Sequence, residues 1–342
     1  MSPLSRRTLL RGSAAGALAG TAALAAGCAP EEELAPEPDP SSVSPSDQDA
    51  TGSPTPEAPR FGPLFPGHDP SKVFLGLTGG GFSIAPALGT VGCQRTFYQW
   101  DDLERELRTI QEDHAGLRLP WVSFKPPGAS PGSWREIAAG RFDDDLKARA
   151  TVYATLERPV VVTFNHEPHT DPGRGADFAE AWVRVHDVME AETGLANVLS
   201  APICGEWIFN DVNETHEPED YLTPEVLDRC DLLGTDIYQN ATGDAYAERL
   251  GAIAAWLDDQ GHPDMMIGVG ETGATDDFGW PTGAMWWRRS WRWAADSDRI
   301  LAIAYYHSDR NNTLGKDWFL TQSPAKFDAF KASVNSPQAA LL

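Results

Sequence analysis

The residues best equipped for chemistry stand together at 165–167, where the apolar run Val160-Val161-Val162-Thr163-Phe164 ends in Asn165-His166-Glu167. A carboxylate beside an amide and an imidazole is suited to proton transfer. A helix-capping glutamate next to a core histidine would explain the same three residues. A second carboxylate, Glu271, follows the apolar run Met265-Met266-Ile267-Gly268-Val269, with Gly270 and Gly273 leaving space around it. Glu271, too, could cap a helix. Glu206 is a weaker third acid, as readily an ion-pair partner for Lys125 or Arg95 as a catalytic group. Asp236 falls on the same strand face as Tyr238 and reads as a group that orients its neighbours.

Several chemistries drop out. His166 and His169 are separated by Glu167 and Pro168 and lack the His-Glu-x-x-His spacing of a zinc site, so no metal is expected. Gly79-Gly80-Gly81 lacks the Lys-Ser/Thr of a phosphate loop and reads as a first-strand loop that lets substrate approach the backbone; no cofactor is expected.

Eight strand-like runs are available to position these groups, at 73–77, 96–99, 121–124, 160–164, 198–203, 232–238, 265–269 and 300–306. Between them, apolar residues recur at helical spacing, as in Phe178-Trp182-Val185-Met189 and Leu250-Ile253-Ala254-Leu257. Alternation of this kind predicts a parallel sheet, and residues 61–342 suit a single α/β catalytic domain, a (β/α)8 TIM barrel, which takes roughly 250 residues. Groups just past the carboxyl ends of barrel strands face the ligand. That rule collects Asn165, His166 and Glu167 with Lys125, Trp207, Tyr238, Glu271 and His307. Trp207 and Trp280 lie at the predicted ligand face and offer rings for stacking, whereas Trp287 and Trp291 share a helix face with Ala284 and Ala294 and read as packing. Arg288, Arg289 and Arg292 read as that helix's solvent face.

The amino terminus has a different character. Arg6-Arg7 precedes a short small-residue apolar stretch ending in Ala26-Gly27-Cys28, the pattern of a twin-arginine export signal (1–28) with a lipobox, Cys28 being the lipidation site. Residues 29–60 hold eight Pro, five Ser and eight acidic residues against one Arg, a composition for a disordered spacer. The expected location is therefore the outer face of the cell membrane, through a lipid anchor, or the medium. A formal net charge of −23 disfavours nucleic acid as a partner. With Cys28 set aside, Cys93, Cys204 and Cys230 allow at most one disulfide, for which Cys204 with Cys230 is the weak choice.

The residues at the predicted strand ends resemble those of the retaining β-glycanases of clan A, and within it glycoside hydrolase family 26, known for β-mannanases. His166-Glu167 at the end of strand four matches the family's acid/base, and Glu271 at the end of strand seven matches its nucleophile. Val122-Ser123-Phe124-Lys125 and Leu232-Leu233-Gly234-Thr235-Asp236-Ile237-Tyr238 fall in the family's order. The resemblance implies a retaining endo-glycoside hydrolase acting on β-mannan or a related β-glycan, with Tyr238 beside the nucleophile and Trp207 as the strand-five tryptophan. The alternative is a non-catalytic carbohydrate-binding lipoprotein. A monomer is expected in either case. The family's His-Glu-Met-Asn-Gly is here His166-Glu167-Pro168-His169-Thr170, and strand eight ends in Tyr305-Tyr306-His307 rather than Trp-Phe, which implies a different sugar beside the cleaved bond.

Overall fold

The computed structural model describes residues 62–129, 132–210, 215–308 and 316–342. The export signal, Cys28 and the 29–60 spacer lie outside the described residues. All described residues belong to one unit, Pro56–Leu342, and no helix among them is long and apolar enough to cross a membrane.

Nine parallel segments form one sheet: β1 (Phe74–Thr78), β2 (Cys93–Tyr98), β3 (Leu119–Phe124), β4 (Val160–Phe164), β5 (Val198–Ser200), β6 (Ile203–Gly205), β7 (Leu232–Tyr238), β8 (Met266–Gly273) and β9 (Ile300–Tyr305). Their order is β5-β4-β3-β2-β1-β9-β8-β7-β6. The two ends of this order, β5 and β6, are consecutive in the chain and make up one strand interrupted at Ala201-Pro202, because proline has no N–H to give to a ladder. Ala201 N–H donates to Val162 of β4, while Gly234 N–H of β7 donates to the Pro202 carbonyl. The fifth strand thus bonds to both neighbours, and the sheet is a closed eight-stranded (β/α)8 barrel.

Strand alternation separates two apolar layers. Phe74, Trp121, Val161, Ile203, Leu232 and Met266 point one way and fill the lumen. Leu75, Val122, Val160, Leu233, Ile267 and Ile303 point the other way and meet the helices. In the helix Gly175–Thr193 the predicted stripe of Phe178, Trp182, Val185 and Met189 is buried. The helix Gly283–Asp296 buries Ala284, Trp287, Trp291 and Ala294 as expected and leaves its arginines exposed.

One expectation fails. Cys204 and Cys230 are both free thiols. Cys204 is sealed in the core, whereas Cys230 Sγ sits 3.6 Å from Met265 Sδ, so each sulfur has its own apolar surroundings.

Candidate functional site

The carboxyl end of β4 makes an abrupt turn that delivers Glu167. Asn165 and Glu167 both take left-handed backbone, at φ of 44° and 50°, each a conformation costing a non-glycine residue about 1 to 3 kcal/mol. Neighbours hold the turn in place. Asn165 N–H donates to Phe124 O of β3 and Glu167 N–H donates to Ile203 O of β6, both at 2.9 Å. Asn165 Nδ2 donates to Asp171 at 3.0 Å, and the Thr170 hydroxyl donates to Glu167 O at 2.8 Å. Asn165 is itself only 1% exposed. Its amide is committed to the turn, and His166 is the member of the trio whose ring lines the cleft.

Glu271 reaches the same space by another device. The register of β7 with β8 runs Thr235↔Val269 and then Asp236↔Glu271, so Gly270 is an extra residue. Such bulges re-aim side chains. A side chain here would displace its neighbours: a Cβ at position 270 would lie 2.6 Å from Arg95 Nη1 and 2.8 Å from Asp236 Oδ1. Arg95, fully buried, projects from β2 into the lumen. It donates to Asp236 Oδ1 at 2.9 Å and comes within 3.4 Å of Glu271 Oε1. Tyr238 donates to the other Glu271 oxygen at 2.5 Å. Both oxygens of Glu271 therefore face a donor, an environment for the carboxylate anion.

Glu167 has the opposite surroundings. Burial first, and then the negative charge of Glu271, push its carboxyl up to about 7, against the opposing pull of Arg95 and Lys125. Burial, reinforced by Arg95 and Lys125, holds His166 well below the usual imidazole range, so its ring is neutral. Burial raises Asp236, with Arg95 opposing.

The cleft beside these groups has a volume of about 780 Å³ and is walled by the strand ends Thr78, Phe97, Ser123, Lys125, His166, Glu271, Tyr306 and His307. Gly79 and Gly80 border it as expected of an open first loop. His307 Nδ1 accepts from Leu320 N–H at 2.9 Å, and burial lowers its pKa, so the ring is neutral with its proton on Nε2.

Other sequence candidates fall elsewhere. Trp207 and Trp280 are 39% and 73% exposed, and neither lines this cleft. Trp207 packs edge-on against His169, ring centroids 4.9 Å apart. Glu206 pairs with neither Lys125 nor Arg95; Arg249 Nε donates to it at 2.6 Å, which makes it structural. Arg95 carries no signal of its role in the sequence, since it precedes the apolar run at 96–99 and joins the strand only in the structure. Trp318 lies 5.0 Å from the Tyr238 ring, and the sequence before it carries no strand or helix pattern that would single it out.

No protein-family model matches the sequence, and no curated protein matches it. Solved structures do. GH26C from a Muricauda species superposes with a TM-score of 0.55 at 14% identity, over 80% of this chain and 88% of that one. The catalytic domain of a Bacillus GH26 endo-β-1,4-mannanase gives 0.54 at 14% identity, over 79% and 88%. An endo-β-1,4-glucanase from Xanthomonas axonopodis gives 0.53 at 13% identity, over 77% and 100%. The fold is common to all of them. Identities this low carry the fold and nothing finer.

Proposed function

We propose that this chain is a retaining endo-glycoside hydrolase that cleaves a β-linked polysaccharide, β-mannan or a related β-glycan. Glu271 is the nucleophile and Glu167 the general acid/base. The observation that carries this reading is the contrast between two carboxyls at one barrel mouth. Glu271 has Tyr238 donating to one oxygen and Arg95 within 3.4 Å of the other, while Glu167 is pushed up to about 7 by burial and by the charge of Glu271. A pair in which one carboxyl is raised and the other is met by donors suits the acid and the nucleophile of a glycosidase. The shared fold with a mannanase and a glucanase supports the same class.

In the first step a Glu271 oxygen bonds to the anomeric carbon while Glu167 gives its proton to the departing glycosidic oxygen. Bonding to sugar removes the negative charge of Glu271. The acidity of Glu167 then increases, it remains ionised after its proton has left, and it takes a proton from the incoming water. Water's oxygen displaces Glu271 from the opposite face, and the configuration is retained after two inversions. His166, neutral and beside the carboxyls, is placed to serve a sugar hydroxyl. Export through the twin-arginine signal and anchoring at Cys28 complete the proposal, with a polysaccharide outside the cell as substrate.

The test is release of new reducing ends and product sizing across mannans, glucans and xylans, with Glu271→Ala as control. Binding without turnover of any polymer would leave a sugar-binding protein in place of an enzyme.

A further inference from the structure

Lys125 is a cation in the cleft with no ion pair among the described residues. It follows β3, is half-buried and lines the cleft wall with Gln99 and Ser123. Among the described residues its ammonium has neither a hydrogen-bond nor an ion-pair partner within reach. The other cations near the mouth are matched: Arg95 by Asp236 and Glu271, Arg249 by Glu206. Glu271 is the one acidic side chain lining the cleft among the described residues, and Arg95 and Tyr238 already occupy it.

This arrangement runs against the rest of the chain, whose formal net charge is −23. An ammonium drawn partly out of water gives up hydration, and its attraction for the Glu167 carboxyl returns least when that group carries its proton. Sugar hydroxyls do not require it, because Gln99, Ser123, Ser308 and His307 already provide neutral hydrogen-bonding groups around the cleft. Lys125 also lowers the pKa of the general acid, an effect opposed to the need for a protonated Glu167. A carboxylate on the substrate would answer both points by pairing with the ammonium and offsetting its pull on Glu167.

We propose that the substrate is a carboxylate-bearing β-glycan of the uronic-acid class, and that Lys125 binds the carboxylate, with Gln99 and Ser123 as neutral partners on the same wall. This rests on the glycosidase reading above. Lys125 is then the residue that sets charge specificity.

The experiment uses matched oligosaccharides of mannan, glucan and galactan type, each neutral and after oxidation of its C6 hydroxymethyl groups to carboxylates. On the backbone that is cut, the full chain is expected to favour the carboxylate form by about tenfold in kcat/KM, mainly through KM, as one charge-assisted hydrogen bond supplies. The preference should shrink at high salt. Lys125→Met should bring the ratio of the two forms close to one, and Lys125→Glu should reverse it, with thermal unfolding showing both variants folded. A preference for the neutral form, or a ratio unchanged in Lys125→Met, overturns the assignment. If no backbone is cut in either form, the glycosidase reading has failed by itself. Calorimetric binding of the same oligosaccharides then decides: Lys125-dependent affinity for the carboxylate form sustains the inference, and equal or absent binding ends it.

Discussion

Tyr238 donates its phenolic hydrogen to Glu271 Oε2 at 2.5 Å, across the register shift that joins β7 to β8. A hydrogen bond to a charged group contributes about 1.5 to 3 kcal/mol. Tyr238→Phe should therefore lower kcat/KM by roughly 10- to 100-fold while leaving the fold intact. Steady-state kinetics on an aryl glycoside, with circular dichroism as the folding control, make the check.

Removing either carboxyl should give distinct kinetic signatures. Glu271→Ala should abolish turnover, and azide should partly restore it by forming a glycosyl azide of inverted configuration. Glu167→Ala should slow substrates with poor leaving groups far more than activated ones. Inversion by the unmodified enzyme, read by NMR on the first-formed product, would sink the nucleophile assignment.

The pH profile should have an alkaline limb set by Glu167. Its protonated form gives the proton, and its carboxyl is pushed up to about 7, so activity should fall as pH rises through that value. Lys125 pulls the carboxyl down. In Lys125→Met the limb should therefore move to higher pH on a neutral substrate; a limb that stays in place or moves down contradicts the electrostatic picture.

His169 predicts the acid stability of the barrel. It is 3% exposed among Trp207, His216 and Tyr221, and among the described residues neither ring nitrogen has a hydrogen-bond partner. Burial, followed by the charge of His216, lowers its pKa to about 4. The unfolded chain thus binds a proton more readily between about pH 6.5 and 4, and stability should decline as pH falls through that window, by up to about 3 kcal/mol. His169→Phe keeps the ring packing and should flatten that decline in Tm measured against pH.

Cys28 carries the prediction about location. Membrane partition of the mature protein should depend on it, and Cys28→Ser should release the chain into the soluble fraction. Equal membrane binding by that variant would remove the lipid anchor from the proposal.

Much of the barrel was legible because buried strands announce themselves as apolar runs. Val160–Phe164 and Leu232–Tyr238 begin and end where the pattern puts them. β8 runs beyond the apolar run at 265–269, because Gly270 and Gly273 look like punctuation while the bulge at Gly270 lets pairing continue to Gly273. The single run at 198–203 does not betray the interruption at Ala201-Pro202 that divides it into β5 and β6. Glu167 and Glu271 stood out because each follows an apolar run. The role of Arg95 did not, because it comes from Asp236 and Glu271, residues more than a hundred positions away. Cys204 and Cys230 show the same limit, since separation in sequence says nothing of where two sulfurs point.

Gly270 has a consequence for engineering. A side chain there would strike Arg95, Asp236 and Ile203 at once, so the bulge that presents Glu271 and the ion pair beneath it occupy one shared volume. Grafting this mouth onto another eight-stranded scaffold would require moving Arg95, Asp236 and Gly270 together. A design that copied the two glutamates and kept an ordinary residue at position 270 would put the nucleophile on a differently shaped strand.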